Sequence, residues 1–229
     1  MPEPVLVAWS GGKDSALALR AILGDARYRV VALLTTVTAE YDRISMHGVR
    51  RALLHRQAAA LGLPLREVVI SPKSSNEEYE ASMGAALGEL VSRTPGVERV
   101  VFGDLFLEDI RAYRERMLAR IGLRGLFPLW LEDTRELAGE FVRSGYKAVL
   151  VCVDSHVLAG AFAGREFDAA LLRDLPPGID PCGENGEFHT FVYAGPTFRE
   201  AIPHRRGAIV VREERFVYCD LVEQETGAA

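Results

Sequence analysis

The chain has 229 residues, of which 48% are hydrophobic and 26% charged, so it is long enough for a substantial core and has the composition of an ordinary globular protein. Acidic residues outnumber basic ones by 32 to 27, and the resulting net charge of −5 argues against a general nucleic-acid binder. Three cysteines without a CxxC pair, no apolar run near the roughly 20 residues of a membrane span and no signal peptide favour the cytoplasm and exclude a membrane partner.

The first half of the chain predicts strands and helices in alternation. Apolar runs at residues 5–9, 30–34, 65–70 and 97–102 predict buried strands. Apolar residues at helical spacing predict helices over residues 14–23, 49–61, 77–91 and 109–121. Alternation of this kind predicts an α/β fold, in which helices cover both faces of a parallel sheet.

The second half has a different pattern. Helices are predicted over residues 133–144 and 165–175, and strands over residues 148–153, 188–193, 208–212 and 215–221. The proline-rich segment 176–181 between them cannot form regular structure. We therefore expect two domains, an α/β domain at residues 1–128 and a smaller α+β domain at residues 129–229.

A glycine-containing loop between the first strand and the first helix is the strongest functional signal. It consists of Ser10, Gly11, Gly12, Lys13, Asp14 and Ser15. Its glycines let the backbone turn tightly and approach an anion, and the amides of the helix N-terminus carry partial positive charge. The serine hydroxyls and the Lys13 ammonium can contact phosphate oxygens, and the Asp14 carboxylate can hold Mg²⁺ beside them. These features predict a site for the phosphates of ATP.

Two further segments carry polar residues next to strands. Gly103 and Asp104 follow the fourth strand, where ligands of open parallel sheets bind, and are predicted to contact the nucleotide. A second cluster spans residues 183–190 and holds Glu184, Asn185, Glu187, His189 and Thr190. Such a loop could grip a polar substrate or supply acid–base groups, although a solvated turn would explain it equally well.

Together these segments resemble the diphthine–ammonia ligase family of N-type PP-loop ATP pyrophosphatases. The matching stretches are the loop at residues 10–15, Met46-His47, Gly103 with Arg111 and Glu115, residues 128–130, residues 183–190 and residues 195–198. The resemblance implies a Rossmann-like ATP domain of the HUP type (an adenine nucleotide alpha-hydrolase-like fold) with a smaller C-terminal domain. It also implies that ATP is cleaved to AMP and pyrophosphate while a substrate carboxylate is adenylated and then amidated by ammonia.

The resemblance also suggests roles for single residues. Lys13 would stabilise the leaving pyrophosphate, and Glu184 or Glu187 would deprotonate ammonium, with His189 as a further catalytic residue. His47 would belong to the nucleotide site. Residues expected to contact the substrate are Glu108, Asp109, Arg111, Glu115, Asn185 and Thr190.

One segment departs from the family pattern. Members that act on diphthine, a modified residue of a translation factor, carry Ser-x-Tyr-Gln-Arg-x-Arg-x-Glu after the fourth strand. The corresponding residues 107–115 keep Arg111 and Glu115 but lack the Tyr-Gln pair and the second arginine. We therefore expect the family's ATP chemistry to carry over to this chain more securely than the family's substrate. The substrate here could be a small carboxylate or a modified protein residue.

Three other functions are compatible with parts of the sequence. A PP-loop RNA thiolase would usually carry paired cysteines or an RNA-binding module, and this acidic chain has neither. A non-catalytic ATP or AMP sensor would need the loop at residues 10–15 but not the cluster at residues 183–190. An amidohydrolase-like enzyme would use that cluster without ATP. A homodimer is compatible with the size of the chain.

Overall fold

The computed structural model describes residues 1–45, 47–71 and 74–224. Most elements begin and end within a few residues of their predicted positions. In chain order they are β1 (Glu3–Ala8), α1 (Lys13–Leu23), β2 (Tyr28–Thr38), β3 (Arg43–Ile44), α2 (Arg51–Leu61), β4 (Leu65–Ile70), α3 (Asn76–Arg93), β5 (Arg99–Val101), α4 (Glu108–Ala119), β6 (Arg124–Leu126), α5 (Thr134–Arg143), β7 (Lys147–Asp154), a 3₁₀-helix (Gly160–Phe162), α6 (Ala169–Asp174), β8 (Phe188–Ala194), β9 (His204–Arg212) and β10 (Phe216–Glu223).

The chain forms two compact units. The first consists of Met1–Ser10, Asp14–Asp42 and Leu63–Leu131, and the second of Gly11–Lys13, Arg43–Gly62 and Glu132–Ala229. The second unit thus draws in two short segments from the first half of the chain, one of which is the middle of the glycine-containing loop. The domain limits predicted from the sequence, 1–128 and 129–229, stay a prediction.

The first unit contains a parallel sheet in the order β4-β2-β1-β5-β6. The strand order changes direction between β1 and β5, where Val7 pairs with Leu33 on one side and with Val101 on the other. In open α/β sheets this reversal opens a crevice beyond the carboxyl ends of the strands. The parallel sheet with its connecting helices confirms the predicted Rossmann-like class.

Both faces of this sheet are covered. On one face Leu6 packs with residues of α3 and α4, among them Leu87 and Leu118. Side chains alternate between faces along a strand, so Val5 and Val7 point to the opposite face, and both are fully buried as well. Burial on both faces explains why β1 reads in the sequence as a continuous apolar run instead of alternating with polar residues.

The second unit contains an antiparallel sheet in the order β8-β7-β10-β9. β7 is its central apolar strand, with every residue from Ala148 to Asp154 buried. Aromatic side chains fill the core beside it: the Phe141 ring stacks on Tyr146 at 5.1 Å and meets Phe167 edge-on at 5.3 Å. This arrangement matches the α+β region predicted for the second half of the chain.

One predicted helix begins later than expected. The helix predicted over residues 165–175 starts only at Ala169, because the Asp168 side chain caps it by accepting a hydrogen bond from the Leu171 amide at 2.8 Å. The preceding residues instead run beside β7, where the Phe167 amide donates to the Ala148 carbonyl at 2.8 Å. Tertiary pairing with β7 therefore overrides the local helical pattern. The short strands β3 and β6 were not predicted.

Along the described part of the chain, no helix combines the length and the apolar character that crossing a membrane requires.

Truncating Phe141 tests the aromatic core of the second unit. Phe141→Ala should lower the free energy of unfolding by about 3–5 kcal/mol, because it leaves a cavity between Tyr146 and Phe167. Urea denaturation would measure the loss. The control Val157→Ala, at a side chain that is 52% exposed, should change stability by less than about 0.5 kcal/mol. Equal losses in the two variants would contradict this description of the core.

Candidate active site

The glycine-containing loop begins at a fixed strand end. Trp9 continues the pairing of β1, since its amide donates to the Leu34 carbonyl at 2.8 Å and its carbonyl accepts the Thr35 hydroxyl at 2.6 Å. The Ser10 hydroxyl then donates to the Ser15 hydroxyl at 3.2 Å. Helix α1 begins inside the loop, at Lys13, so the amides of its first turn, which lack acceptors within the helix, belong to the loop.

Gly103 lies against the loop within the first unit. A Cβ atom on Gly103 would meet the Asp14 carbonyl carbon at 2.7 Å and the Ser15 amide nitrogen at 2.9 Å. Both contacts are with backbone, which cannot move aside, so only glycine fits. The predicted position of Gly103 close to the loop thus has a steric basis. Asp14 is partly buried and Ser15 buried.

The middle of the loop is held by hydrogen bonds within the second unit. The Gly11 carbonyl accepts from the Val192 amide at 2.9 Å and from the Gln57 side-chain amide at 3.0 Å. The same Gln57 nitrogen donates to the Val192 carbonyl at 2.7 Å. Gly11 has a φ of +79°, and a Cβ there would meet the Gln57 Oε1 atom at 2.7 Å. The conformation and the close contact with Gln57 both require glycine at residue 11.

Lys13 is buried on the second unit's side of the loop. Its amide donates to the Thr190 hydroxyl at 3.0 Å, and its ammonium donates to the Cys182 carbonyl. The ammonium lies 5.8 Å from the ring centre of Phe167 and 5.6 Å from that of Phe188. Aromatic faces stabilise a cation, so the two rings partly offset the loss of water around the Lys13 side chain, whose residue is only 2% exposed.

Two neutral histidines lie beside this lysine. The rings of His47 and His189 are 4.6 Å apart, and the His47 Nδ1 atom lies 3.1 Å from the Thr190 carbonyl. Loss of water around the rings, reinforced by the charge of Lys13, lowers the pKa of His47 to about 4 and that of His189 to about 3. Both are therefore uncharged at neutral pH. Because a carbonyl can only accept, His47 must carry its proton on Nδ1. Met46, matched to the family with His47, lies outside the described residues.

The cluster at residues 183–190 forms a tight turn followed by β8. The Glu184 amide donates to the Asp180 carboxylate at 2.8 Å. The Glu187 side chain is buried, and its Oε1 atom accepts from the Asp180 amide at 3.1 Å and from the Asn185 side chain at 3.0 Å. Glu184 is partly buried, whereas Asn185 is exposed. Of this cluster, Thr190 contacts both Lys13 and His47, and His189 lies beside His47. Hydrogen bonds of Glu184, Asn185 and Glu187 connect residues of the turn itself.

The residues predicted after the fourth strand lie in the first unit, where each has a structural role. Both oxygens of Asp104 accept from the Arg114 guanidinium, at 2.7 and 2.9 Å. Glu108 and Asp109 are exposed in the first turn of α4, where acidic residues are favourable without any ligand.

Arg111 is built into an aromatic stack. Its guanidinium lies 4.9 Å from the ring centre of Phe127 and 4.6 Å from that of Trp130, while its Nε atom donates to Glu115 at 3.0 Å. The side chain is partly exposed, so a fixed positive charge is presented at this surface.

Three residues of the site were not predicted: Gln57, Phe167 and the carbonyl of Cys182. Only Gln57 leaves a signal in the sequence. It shares the buried face of α2 with Leu53, Leu54 and Ala58, and a polar residue on an apolar helix face usually has a buried partner. The other two depend on backbone geometry that no sequence pattern records.

The residues at the loop suit Mg²⁺ bound together with phosphates. No cluster of three or more His, Cys, Asp or Glu residues exists among the described residues. Mg²⁺ is nevertheless commonly held by one or two carboxylates while substrate phosphates complete its coordination. The single partly buried carboxylate of Asp14, in the first turn of α1, fits that mode.

Comparison with known families gives two consecutive matches. Residues 4–125 match the model described as the diphthamide synthase N-terminal domain, and residues 133–219 match that of the diphthamide synthase C-terminal domain. The resemblance inferred from the sequence is therefore confirmed.

The relatives that the chain matches are named diphthine–ammonia ligase. The chain is 29% identical to a diphthine–ammonia ligase of Schizosaccharomyces pombe, over 86% of this chain and 35% of that protein. It is 29% identical to a diphthine–ammonia ligase of Danio rerio, over 84% of this chain and 83% of that protein. The Homo sapiens relative of the same name is 26% identical, over 84% of this chain and 79% of its own length. The chain thus spans about a third of the fission yeast protein and most of the two vertebrate proteins.

Replacing Gln57 tests the anchoring of the loop. Gln57→Met keeps the volume but removes both hydrogen bonds from the side-chain amide, so the free energy of unfolding should fall by about 1–3 kcal/mol. Chemical denaturation would measure it. Gln224→Met, at an exposed glutamine, is the matched control and should be neutral. A Gln57 variant as stable as the control would show that these bonds do not hold the loop.

The histidine pair predicts a pH dependence of stability. An unfolded histidine binds a proton near pH 6.5, whereas folded His47 and His189 resist protonation down to about pH 4 and 3. The unfolded state therefore binds more protons below pH 6.5, and the free energy of unfolding should fall on acidification by on the order of a few kcal/mol.

Denaturation of the wild type and of the double variant His47→Gln, His189→Gln at successive pH values would measure this effect. The difference between the two proteins removes the contribution of the carboxylates, which both share. The variant should show the flatter dependence between about pH 6.5 and 4. Parallel curves would mean that the histidines are not held neutral by the fold.

Proposed function

Because both of its halves match the corresponding domain models, the chain belongs to the diphthamide synthase family, and we propose that it is an ATP-dependent ligase that adenylates a carboxylate and amidates it with ammonia. The relatives that the chain matches are named diphthine–ammonia ligases, which supports the predicted enzyme class. The residue roles, the metal and the substrate that follow are part of the proposal.

The fixed backbone of the loop at residues 10–15 carries the proposal for ATP. Hydrogen bonds to the Gly11 carbonyl and from the Lys13 amide fix the backbone of the loop. Phosphate binding therefore does not have to order the rest of the loop. We infer that the phosphates lie on this loop, with the hydroxyls of Ser10 and Ser15 and the amides of Gly11 and Gly12 as donors. His47, Gly103 and Asp104 complete the proposed nucleotide site. Asp104 would contribute while paired with Arg114.

In the first step an oxygen of the substrate carboxylate attacks the α-phosphorus of ATP. The bond between the α-phosphorus and the bridging oxygen breaks, so pyrophosphate leaves and an acyl-adenylate forms. Negative charge grows on the pyrophosphate, and Lys13 supplies a positive charge to the loop that binds it. The burial of Lys13 between Phe167 and Phe188 strengthens its field, because little water is present to screen it. His47 is uncharged and so adds no second positive charge beside Lys13.

In the second step ammonia attacks the acyl carbon, an amide forms and AMP leaves. Ammonium must first lose a proton, and Glu184 and Glu187 are the two candidate bases. Neutral His189 cannot act as an acid at pH 7, but its free-base ring can accept a hydrogen bond from the substrate. Asn185 and Thr190 would orient the substrate. Exclusion of water during this step would protect the adenylate from hydrolysis.

Mg²⁺ is proposed as the metal, held by Asp14 together with the phosphates, where it would neutralise part of their charge.

The substrate is proposed to be diphthine or a related carboxylate. The relatives are named for diphthine, and Arg111 and Glu115 are retained from the segment expected to face it. The stacked Arg111 guanidinium could bind an anionic group of the substrate, with Glu108, Asp109 and Glu115 as neighbours on the same helix. The missing Tyr-Gln pair would then alter which carboxylate is preferred.

Domain limits at residues 1–128 and 129–229, a cytoplasmic location and a homodimer complete the proposal. The limits are supported by the ranges of the two family models, and the location by three buried free cysteines. A sensor that only binds ATP or AMP is the second candidate, because the loop alone would serve it. Turnover of ATP separates the two.

Substitution of Lys13 tests the proposed mechanism. Lys13→Met keeps most of the buried volume but removes the charge, and the rate of AMP and pyrophosphate formation should fall by at least about 100-fold. The assay contains ATP, Mg²⁺, ammonium and a translation factor that carries diphthine, or a small-molecule extract. Lys147→Met, at an exposed lysine, is the matched control and should keep the wild-type rate. Full turnover by the Lys13 variant would remove this residue from the mechanism, and ADP with phosphate as products would overturn the proposed reaction.

A further inference from the structure

Among the described residues, hydrogen-bond donors contact only one of the two oxygens of the Glu187 carboxylate. Its Oε1 atom accepts two hydrogen bonds, from the Asp180 amide and the Asn185 side chain. Its Oε2 atom is fully buried and has no hydrogen-bond donor among the described residues. The residue as a whole is 5% exposed. Glu187 therefore combines a pre-oriented carboxylate with one oxygen to which no described residue donates.

A buried carboxylate oxygen without a partner favours the binding of a ligand that can donate a hydrogen bond to it. A buried acceptor left without a partner costs about 1–3 kcal/mol, and more when it carries charge. An ionised carboxylate can only accept hydrogen bonds, so its ligand must bring an N–H or O–H group. A cationic donor offsets the buried negative charge as well, and the ammonium ion has both properties.

The turn that carries Glu187 is closely packed. A Cβ atom on Gly183 would meet the Phe188 carbonyl oxygen at 2.8 Å and the Phe188 ring at 3.1 Å. The Gly183 amide also donates to the Asp180 carbonyl at 2.9 Å, which closes the turn. The conformation that positions Glu187 therefore requires glycine at residue 183.

The neighbours of Glu187 in the turn differ from it in exposure. Asn185 is exposed, and its side-chain amide donates to the Oε1 atom of Glu187. Glu184 differs from Glu187 in this respect, because it is only partly buried and water can solvate its side chain. Of the two acidic residues, only Glu187 has a buried oxygen that lacks a donor.

We propose that Glu187 is the ammonium-binding residue and that its Oε2 atom takes the proton that converts ammonium into ammonia. The neutral ammonia attacks the acyl carbon of the adenylate, the C–O bond to AMP breaks, and the second proton released on amide formation passes to solvent. This assignment rests on the proposed function. It goes beyond it by separating the ammonium site from the phosphate loop and by excluding Glu184 as the base.

Thermal unfolding tests the binding site without any substrate. Wild type, Glu187→Gln and the control Glu136→Gln, at an exposed glutamate on α5, are unfolded in ammonium chloride and in equal concentrations of tetramethylammonium chloride. Ammonium should raise the Tm of wild type and control by about 3–5 °C at ten times its dissociation constant, and tetramethylammonium, which has no N–H donor, should not. The shift should vanish in Glu187→Gln. An equal shift in all three proteins, or none in the wild type, would overturn the site.

Kinetics then test the base. Glu187→Gln should raise the KM for ammonium by at least tenfold and lower amide formation far more than it lowers ATP–pyrophosphate exchange, which needs no ammonium. Similar losses in both reactions, or an unchanged KM, would contradict the assignment. If the wild type shows no exchange at all, the proposed function fails while the thermal test still decides the ammonium site. If Glu187→Gln does not fold, the comparison of ammonium with tetramethylammonium in the wild type decides it.

Discussion

The fixed backbone of Gly11–Lys13 is the constraint on which the site depends. A loop that binds phosphate with its amides must keep those amides pointing outward, and so its own carbonyls must be satisfied elsewhere. The buried Gln57 side chain and the Val192 amide provide this for Gly11, and the Thr190 hydroxyl holds the Lys13 amide. Three elements far apart in sequence, α2, β8 and the loop, are thereby held in one arrangement within the second unit.

The charges around this backbone follow from burial. Lys13 is buried, and two aromatic rings and a backbone carbonyl accommodate its ammonium. The two histidines beside it stay uncharged, since a second cation in a site with little water would repel the first. Positive charge is thus concentrated on one residue of the loop, and the adjoining imidazoles remain able to accept hydrogen bonds.

Much of this architecture could be predicted from the sequence, because the evidence for it is local. The apolar runs of β1 and β7 predicted strands, and the spacing of apolar residues in α1 predicted a helix. The order of such elements predicted a parallel sheet in the first half and an α+β region in the second. The glycines, Lys13 and Asp14 identified the loop. Long-range geometry could not be predicted. The pairing of Phe167 with β7, which delays α6, and the contact of Gln57 with Gly11 depend on residues separated by many positions. The cluster at residues 183–190 was identified as polar and close to a strand. That the Oε2 atom of Glu187 has no donor among the described residues is visible only in the structure.

The most direct test of the proposed chemistry follows an oxygen atom. A substrate whose carboxylate is labelled with ¹⁸O would be incubated with the protein, ATP, Mg²⁺ and ammonium, and the nucleotide product analysed by mass spectrometry. Attack on the α-phosphorus transfers one carboxylate oxygen to AMP, so the account predicts one ¹⁸O atom in each AMP released and none in pyrophosphate. Label in inorganic phosphate with ADP as the nucleotide product, or AMP without label, would contradict activation through an acyl-adenylate.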